Sequence, residues 1–343
     1  MILENISKVD SISTRFPLLL EREKILCFSE TTHVFEVPIH LSGFLAELGG
    51  ESIVGSAAEL AREPLFRAYM ELVERLSIVT AMLRPIEGVR LVGAERTPGF
   101  GPCTSLFPET PDPSRQRWAR SNGVAAGTTW IEAASRARWE LIERDRILRS
   151  FYGEIQPRRV AVPNGLVPDG LRAGYAFHAY TFDAPVPDGA SVAMLIGFPR
   201  KVETDPLVYG FGCRNSEHAA VEVAAGECIQ RLGFLYGETL PDSAPPPAPT
   251  PDFHQEYFLF AENHERLRRW LDGEHAEFRG VLDASVARVP DEPVYADLTP
   301  PSLEGRLFVA KALPRGHVPL AFGVGHPFLR SNAPVELSVH PIA

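Results

Sequence analysis

The sequence is short of paired cysteines, of basic excess and of long apolar runs, and each shortage excludes something. Its four cysteines, Cys27, Cys103, Cys213 and Cys228, lie far apart and form no C-x-x-C pair, so neither a zinc site nor a redox motif is signalled and reduced thiols are expected. The ten histidines show no H-x-x-x-H spacing, and His275-Ala276-Glu277 has no downstream P-C-x-x-C to make a zinc deaminase, which leaves them surface or structural. Acidic residues outnumber basic ones, 44 to 34, for a formal charge of -10, against the basic footprint of nucleic-acid binders. No apolar run approaches the ~20 residues that span a bilayer. The N-terminal MILENISKVDSISTRF has no apolar core behind a basic start, so no signal peptide is read and a soluble cytoplasmic protein is expected. There is no G-x-x-x-x-G-K-[ST] and no G-x-S-x-G elbow, and Gly210-Phe-Gly212-Cys-Arg-Asn lacks the third glycine of a dinucleotide loop.

What is present is enough for a large core: 343 residues, 45% hydrophobic, as one large domain or two intimate halves. Apolar recurrence at three and four residues predicts helices over about 57–83, 131–152, 217–236 and 255–272. Alternating or β-branched segments predict strands at His33 to Ile39, Tyr175 to Phe182, Ser191 to Phe198, Leu307 to Leu313 and Leu320 to Val324. The mixture points to an α+β fold. The proline-rich stretch 241–251 resists helix and strand and is expected to be an extended connector within a domain.

One pattern carries chemistry. E-x-x-E-R occurs as Glu71-Leu-Val-Glu74-Arg75 and again as Glu140-Leu-Ile-Glu143-Arg144, each inside a predicted helix. Residues three apart share a helical face, so each motif presents two carboxylates together. A lone E-x-x-E is ordinarily a solvated pair, but here the first helix leaves only a narrow polar stripe through Arg67, Glu71 and Glu74, and the second a similar one through Glu132, Arg136, Glu140 and Glu143. Carboxylates facing an internal cleft repel by about 4 kcal/mol per pair at an effective dielectric near 20, and a divalent cation relieves this economically. Oxygen-only ligands suit Mg2+, which shares its remaining positions with water and substrate phosphates. Arg75 and Arg144 could meet phosphate oxygens, or pair with their own glutamates. A third predicted helix carries Glu227-Cys-Ile-Gln230 at the same spacing.

Together these residues resemble the YcaO-like family, from about Gly55 onward. Ser121-Asn-Gly-Val-Ala-Ala-Gly-Thr-Thr-Trp-Ile-Glu-Ala, followed by Glu140-Leu-Ile-Glu143-Arg144-Asp145, is close to the family's S-N-G-x-A-A-G-N-T-x-x-E-A and E-x-x-E-R-D blocks. The Met70–Ser77 segment matches the first block, and Gly210-x-Gly212-Cys213 leading to Glu227-x-x-Gln230 matches the third. The resemblance implies an α+β fold of antiparallel sheets and helices around an ATP-binding cleft, in a domain over 51–343 preceded by an N-terminal segment, 1–50. It implies that Glu71, Glu74, Glu140 and Glu143 ligate Mg2+, that Ser56, Arg75, Thr128, Glu132 and Arg144 line the nucleotide pocket, and that Glu227 and Gln230 line the third side. Lys311 matches a basic residue near the family's C-terminal block. Two departures stand out: Thr128 replaces the usual Asn, and the Gly-Lys-Gly-x-Ser stretch is reduced to Gly55-Ser56, without its Lys.

The activity so implied is ATP- and Mg2+-dependent O-phosphorylation of a backbone amide in a ribosomally made precursor peptide, with azoline-forming cyclodehydration ahead of thioamide formation from external sulfide. The alternative is a degenerate nucleotide-binding scaffold, against which the four intact glutamates count. A separate E1-like or sulfur-delivery partner is expected, since about fifty residues cannot hold a peptide-binding domain. A homodimer is admitted; nucleic-acid and membrane partners are not expected.

Overall fold

A computed structural model describes residues 25–83, 90–93, 98–102, 119–183, 189–284, 286 and 292–343. The N-terminal stretch that bears on a signal peptide, and Cys103, lie outside them. Three antiparallel sheets pack with helices between them, the α+β class expected from the sequence.

The first sheet is the meander β1 (Ile25–Val34), β2 (Val37–Leu48) and β3 (Glu51–Glu59). The strand expected at His33–Ile39 is instead a hairpin turn: Phe35 and Glu36 take positive φ (46° and 65°), and Val34 pairs with Val37. The division at residue 50 falls in the turn between β2 and β3. Helix α1 (Leu65–Met82) covers one face, setting Tyr69, Leu72 and Leu76 against Phe44, Ile53 and Ala57. The helix expected from residue 57 starts eight residues later, because Ala57 and Ala58 are both buried, as in a strand covered on both faces.

A five-stranded sheet in the order β5-β4-β11-β12-β6 joins β4 (Arg90–Val92), β5 (Pro98–Pro102) and β6 (Val124–Gly127) to β11 (Val294–Asp297) and β12 (Phe308–Leu313). Helix α2 (Trp130–Phe151) lies on it through Ala133, Ala137 and Leu141. Thr129 caps its start by accepting from the Glu132 N–H. The third sheet, β10-β9-β8-β7, comprises β7 (Arg158–Val160), β8 (Tyr175–Thr181), β9 (Ser191–Pro199) and β10 (Val208–Arg214). Its strands β9 and β10 are buried on both faces: α3 (Asp169–Gly174) and α4 (Glu217–Leu235) cover Ala193, Leu195 and Val208, while the C-terminal half of α2 meets Val192, Met194 and Ile196. That double burial explains the unbroken apolar run of β9.

The helix expected over 255–272 is split into α5 (Pro251–Leu259) and α6 (His264–Leu271) by the extended backbone of Phe260 (φ -69°, ψ 119°) and a 3-10 turn at Ala261–Asn263. Residues 241–250 are irregular, but the last proline of the connector opens α5 at its first position, where a missing N–H is harmless, with Thr250 as cap. Leu320–Val324 is irregular rather than a strand. Histidines replace ladder bonds there: His254 Nε2 accepts from Gly323 N–H, and His340 Nε2 lies 2.8 Å from the Ala321 carbonyl. His254 Nδ1 is in turn 2.9 Å from the His340 carbonyl, so buried imidazoles stitch the C-terminal segment to the core.

Candidate functional site

β3, β6 and β10 are each the end strand of their sheet. An end strand leaves alternate amides without ladder partners. Here helical carboxylates take them: Ser56 N–H donates to Glu71 Oε2 at 3.0 Å, Ala126 N–H to Glu74 Oε1 at 2.8 Å, and Phe211 N–H to Glu227 Oε2 at 3.1 Å. Glycine permits the approach. A Cβ at Gly210 would stand 2.3 Å from Cys228 N and 2.4 Å from Ala224 O, and one at Gly55 2.2 Å from Leu72 N and 2.4 Å from Ala68 O. The Gly210-x-Gly212 pattern is therefore a strand laid against a helix backbone, and the glycine–amide–glutamate relation occurs twice, with Gln230 on α4 where α1 has Glu74.

These three edges and α1, α2 and α4 enclose a cavity of about 900 Å3. All four E-x-x-E glutamates line it, α1 adding Arg75, β3 adding Ser56, and α4 adding Glu227 and Gln230. Thr128, Glu132 and Arg144 complete the set brought together there. Thr128 donates to Glu132 Oε2 through both N–H (2.9 Å) and hydroxyl (2.8 Å). The arginines of the motifs pair one turn back on their own helices, Arg75 with Glu71 at 2.5 Å and Arg144 with Glu140 at 2.7 Å. Lys311 does not line the wall: it is 3% exposed, and its Nζ donates to the carbonyls of Arg120 and Asn122 at 3.0 Å each, fixing the turn before β6.

The carboxylates face the cavity yet are surrounded by protein. Burial, followed by like-charge neighbours, pushes Glu74 up to about 7 against the pull of Arg136 and of the Ala126 amide. Burial also raises Glu140 and Glu227, and raises Glu143 strongly, with Glu227 across the cavity adding repulsion. Glu132 goes the other way: burial is outweighed by the Thr128 hydrogen bonds and the Arg136 charge. Lys311 is pushed down to about 8 by burial, although Glu140 favours its charge. The arginines around them offset only part of this crowding, since burial still holds four of the glutamates raised. Among the described residues no three acidic, histidine or thiol groups form a metal cage by themselves, but Mg2+ usually takes only one or two carboxylates beside water and phosphates. The hard oxygen donors therefore fit a Mg2+–nucleotide better than a protein-only metal centre.

Sequence reasoning missed Trp139 and Arg214 in the wall, and noted Arg136 only as part of the α2 stripe. The signal for Arg136 was there, at four residues from both Glu132 and Glu140; Arg214, on another element, had none.

The family model described as YcaO cyclodehydratase, ATP- and Mg2+-binding, matches residues 80–313. No curated protein matches the chain in sequence. In structure it resembles YcaO from Methanopyrus kandleri bound with AMPPCP and Mg2+ (TM-score 0.61, 19% identity, 92% of this chain and 91% of that one). It also resembles a chain of the E. coli microcin synthetase McbBCD complex with pro-MccB17 bound (TM-score 0.54, 11% identity, 84% and 87%). A heterocyclase in complex with substrate and cofactor is similar at a TM-score of 0.51 and 15% identity, over 90% of this chain but 52% of that one. With the family model covering more than half its length, the chain belongs to the YcaO family, an ATP- and Mg2+-binding family.

Proposed function

We propose that this protein is an enzyme that phosphorylates the oxygen of a peptide backbone amide at the expense of Mg2+-ATP, with azoline-forming cyclodehydration as the outcome. The observation that carries this reading is the convergence of Glu71, Glu74, Glu140, Glu143 and Glu227 from three helices on one cavity, four of them with raised pKa. In this reading Glu71, Glu74, Glu140 and Glu143 would hold Mg2+, which would offset the charge on the phosphates of ATP while ATP supplies the phosphoryl group and leaves as ADP. The end-strand amides of Ser56, Ala126 and Phe211 hold the carboxylates in orientation. Arg75, Thr128, Glu132, Arg144 and Gln230 contact the nucleotide, and Lys311 acts through the Ser121–Gly123 turn. The protein's own contribution is position and charge.

A peptide substrate and a separate delivery partner are supported by the microcin synthetase, a complex that holds pro-MccB17. The peptide mass tests the outcome: loss of one water per site fits an azoline, and exchange of oxygen for sulfur replaces cyclodehydration with thioamide formation. Glu140→Gln tests the site. It should fold and lose nucleotide turnover by more than the roughly 10- to 100-fold that supporting residues of metal sites are worth. Hydrolysis at the parental rate would remove Glu140 from the machinery.

A further inference from the structure

Arg136 and Arg214 come to the cavity from α2 and β10, and neither has a part in the proposed metal and nucleotide contacts. Each is held from behind by a backbone carbonyl: Arg136 Nη1 donates to Ala126 O at 2.9 Å, and Arg214 Nη1 to Cys213 O at 2.6 Å. The Arg214 guanidinium also lies 4.7 Å from the centroid of the Trp139 ring. A guanidinium carries five N–H donors, so most of each remains for a ligand. Among the described residues neither arginine makes an ion pair, whereas Arg75 and Arg144 in the same cavity each pair with a glutamate. The two cations feel each other: desolvation first, and Arg136 second, hold Arg214 below the ordinary arginine range, with Glu143 and Glu227 only partly offsetting them.

Two fixed cations facing one cavity call for an anion between them. Glu143 and Glu227 are near Arg214, and Glu74, Glu132 and Glu140 are near Arg136, but in the proposed enzyme Glu74, Glu140 and Glu143 share their charge with metal. A neutral peptide amide would leave the guanidinium pair uncompensated, and a single carboxylate would offset one of the two. A phosphate group of the nucleotide offers several anionic oxygens in the geometry that forked guanidinium donors match.

We propose that Arg136 and Arg214, reaching the cavity from α2 and β10, together form a cradle for the terminal phosphates of the nucleotide. The inference rests on the proposed nucleotide site and adds to it the residues that discriminate phosphate number. Calorimetric titration of AMP, ADP and AMPPCP, each with Mg2+, tests it without turnover. Arg214→Ala and Arg136→Ala should each weaken AMPPCP by roughly 10- to 100-fold while AMP stays within about threefold of the parent, the size expected for charged hydrogen bonds. Arg214→Lys, which keeps the charge and loses the fork, should recover part of the loss, and a parental melting temperature for Arg214→Lys shows that the fold is kept. Equal weakening of AMP and AMPPCP overturns the cradle, as does AMPPCP affinity unchanged in both alanine variants. A raised peptide requirement with unchanged AMPPCP affinity would assign the pair to an acidic group of the peptide instead and also overturns it. A parent that binds none of the three nucleotides removes the functional reading, and the cradle with it.

Discussion

A single side chain shows how the site trades stability for ligand capture. Glu74 sits with its pKa raised from 4.5 to about 7, chiefly by burial, and is tied to the Ala126 amide. A carboxyl raised in the folded state contributes full stability below its unfolded pKa and loses it as pH rises through the folded value, here from about 4.5 to 7. At pH 8 the metal-free protein therefore carries an ionised group that the fold disfavours. Mg2+ reverses the balance. Added Mg2+ should raise the melting temperature more at pH 8 than at pH 6, because at the lower pH a proton competes for the site. Glu74→Gln should melt higher than the parent without metal at pH 8 and should lose the larger share of the Mg2+ response. A thermal-shift series in pH and Mg2+ reads both, and a Glu74→Gln protein with an undiminished response would take this residue out of the ligand set.

Among the elements, the pairing of β10 with α4 decides where Glu227 stands. Gly210 admits the helix backbone to within van der Waals contact of the strand, which lets the Phe211 amide reach the carboxylate. Gly210→Ala would set a methyl against Cys228 N and Ala224 O, both backbone atoms that cannot rotate away. The strand must shift, at about the 1–3 kcal/mol typical of overpacking. Urea unfolding should show that loss, and nucleotide affinity should fall with it; an unshifted midpoint would mean that the pair tolerates a wider spacing. The Asp145 of E-R-D works at the same scale: its carboxylate accepts from Val318 N–H at 2.7 Å and from Arg149 Nε at 2.8 Å, while Arg149 Nη2 donates to Gly316 O at 2.8 Å. The last residue of the motif thus ties the carboxylate helix to the chain beyond β12, a structural part beside the chemical one.

For the molecule as a whole, the buried histidines set the acid limit. His254, His264 and His275 are held down to about 4, first by desolvation, so the folded state binds fewer protons than the unfolded chain between about 4 and 6.5. Their contribution is complete above about 6.5 and is lost as pH falls toward 4. For His254, with no exposed surface, the loss is on the order of 3 kcal/mol. Measured at one Mg2+ concentration for parent and variant, so that the carboxylate contribution is common to both, unfolding free energy should drop between pH 6.5 and 4. His254→Phe should be less stable at pH 8, where it loses its bonds to Gly323 and His340, and should show a shallower acid slope. A slope as steep as the parent's would place the acid sensitivity elsewhere. Among the described residues no helix is long and apolar enough to cross a membrane.

Much of this protein could be read from local pattern. The two E-x-x-E-R helices, the narrow polar stripes around them and the oxygen-only donor set all follow from the 3.6-residue period, which places residues three and four apart on one face whatever the rest of the chain does. The spacing of Glu132, Arg136, Glu140 and Glu143 on α2 is of that kind. What lay beyond the sequence was set by long-range packing. Residues 57–59 are strand, not helix, because both faces of β3 are covered, one by α1 and the other in contact with α4. The helix expected over 255–272 breaks at Phe260, and Leu320–Val324 finds histidine partners instead of a strand. Lys311 was placed in the nucleotide pocket from its position beside a motif, yet its ammonium turns to the Arg120 and Asn122 carbonyls beneath the wall. Arg214 comes within the electrostatic reach of Arg136 only because β10 and α2 border the same cavity, a juxtaposition that no periodicity encodes. Helical faces are local geometry and were legible; the convergence of three sheet edges on those faces depends on pairings across the whole chain, and only the tertiary structure decided it.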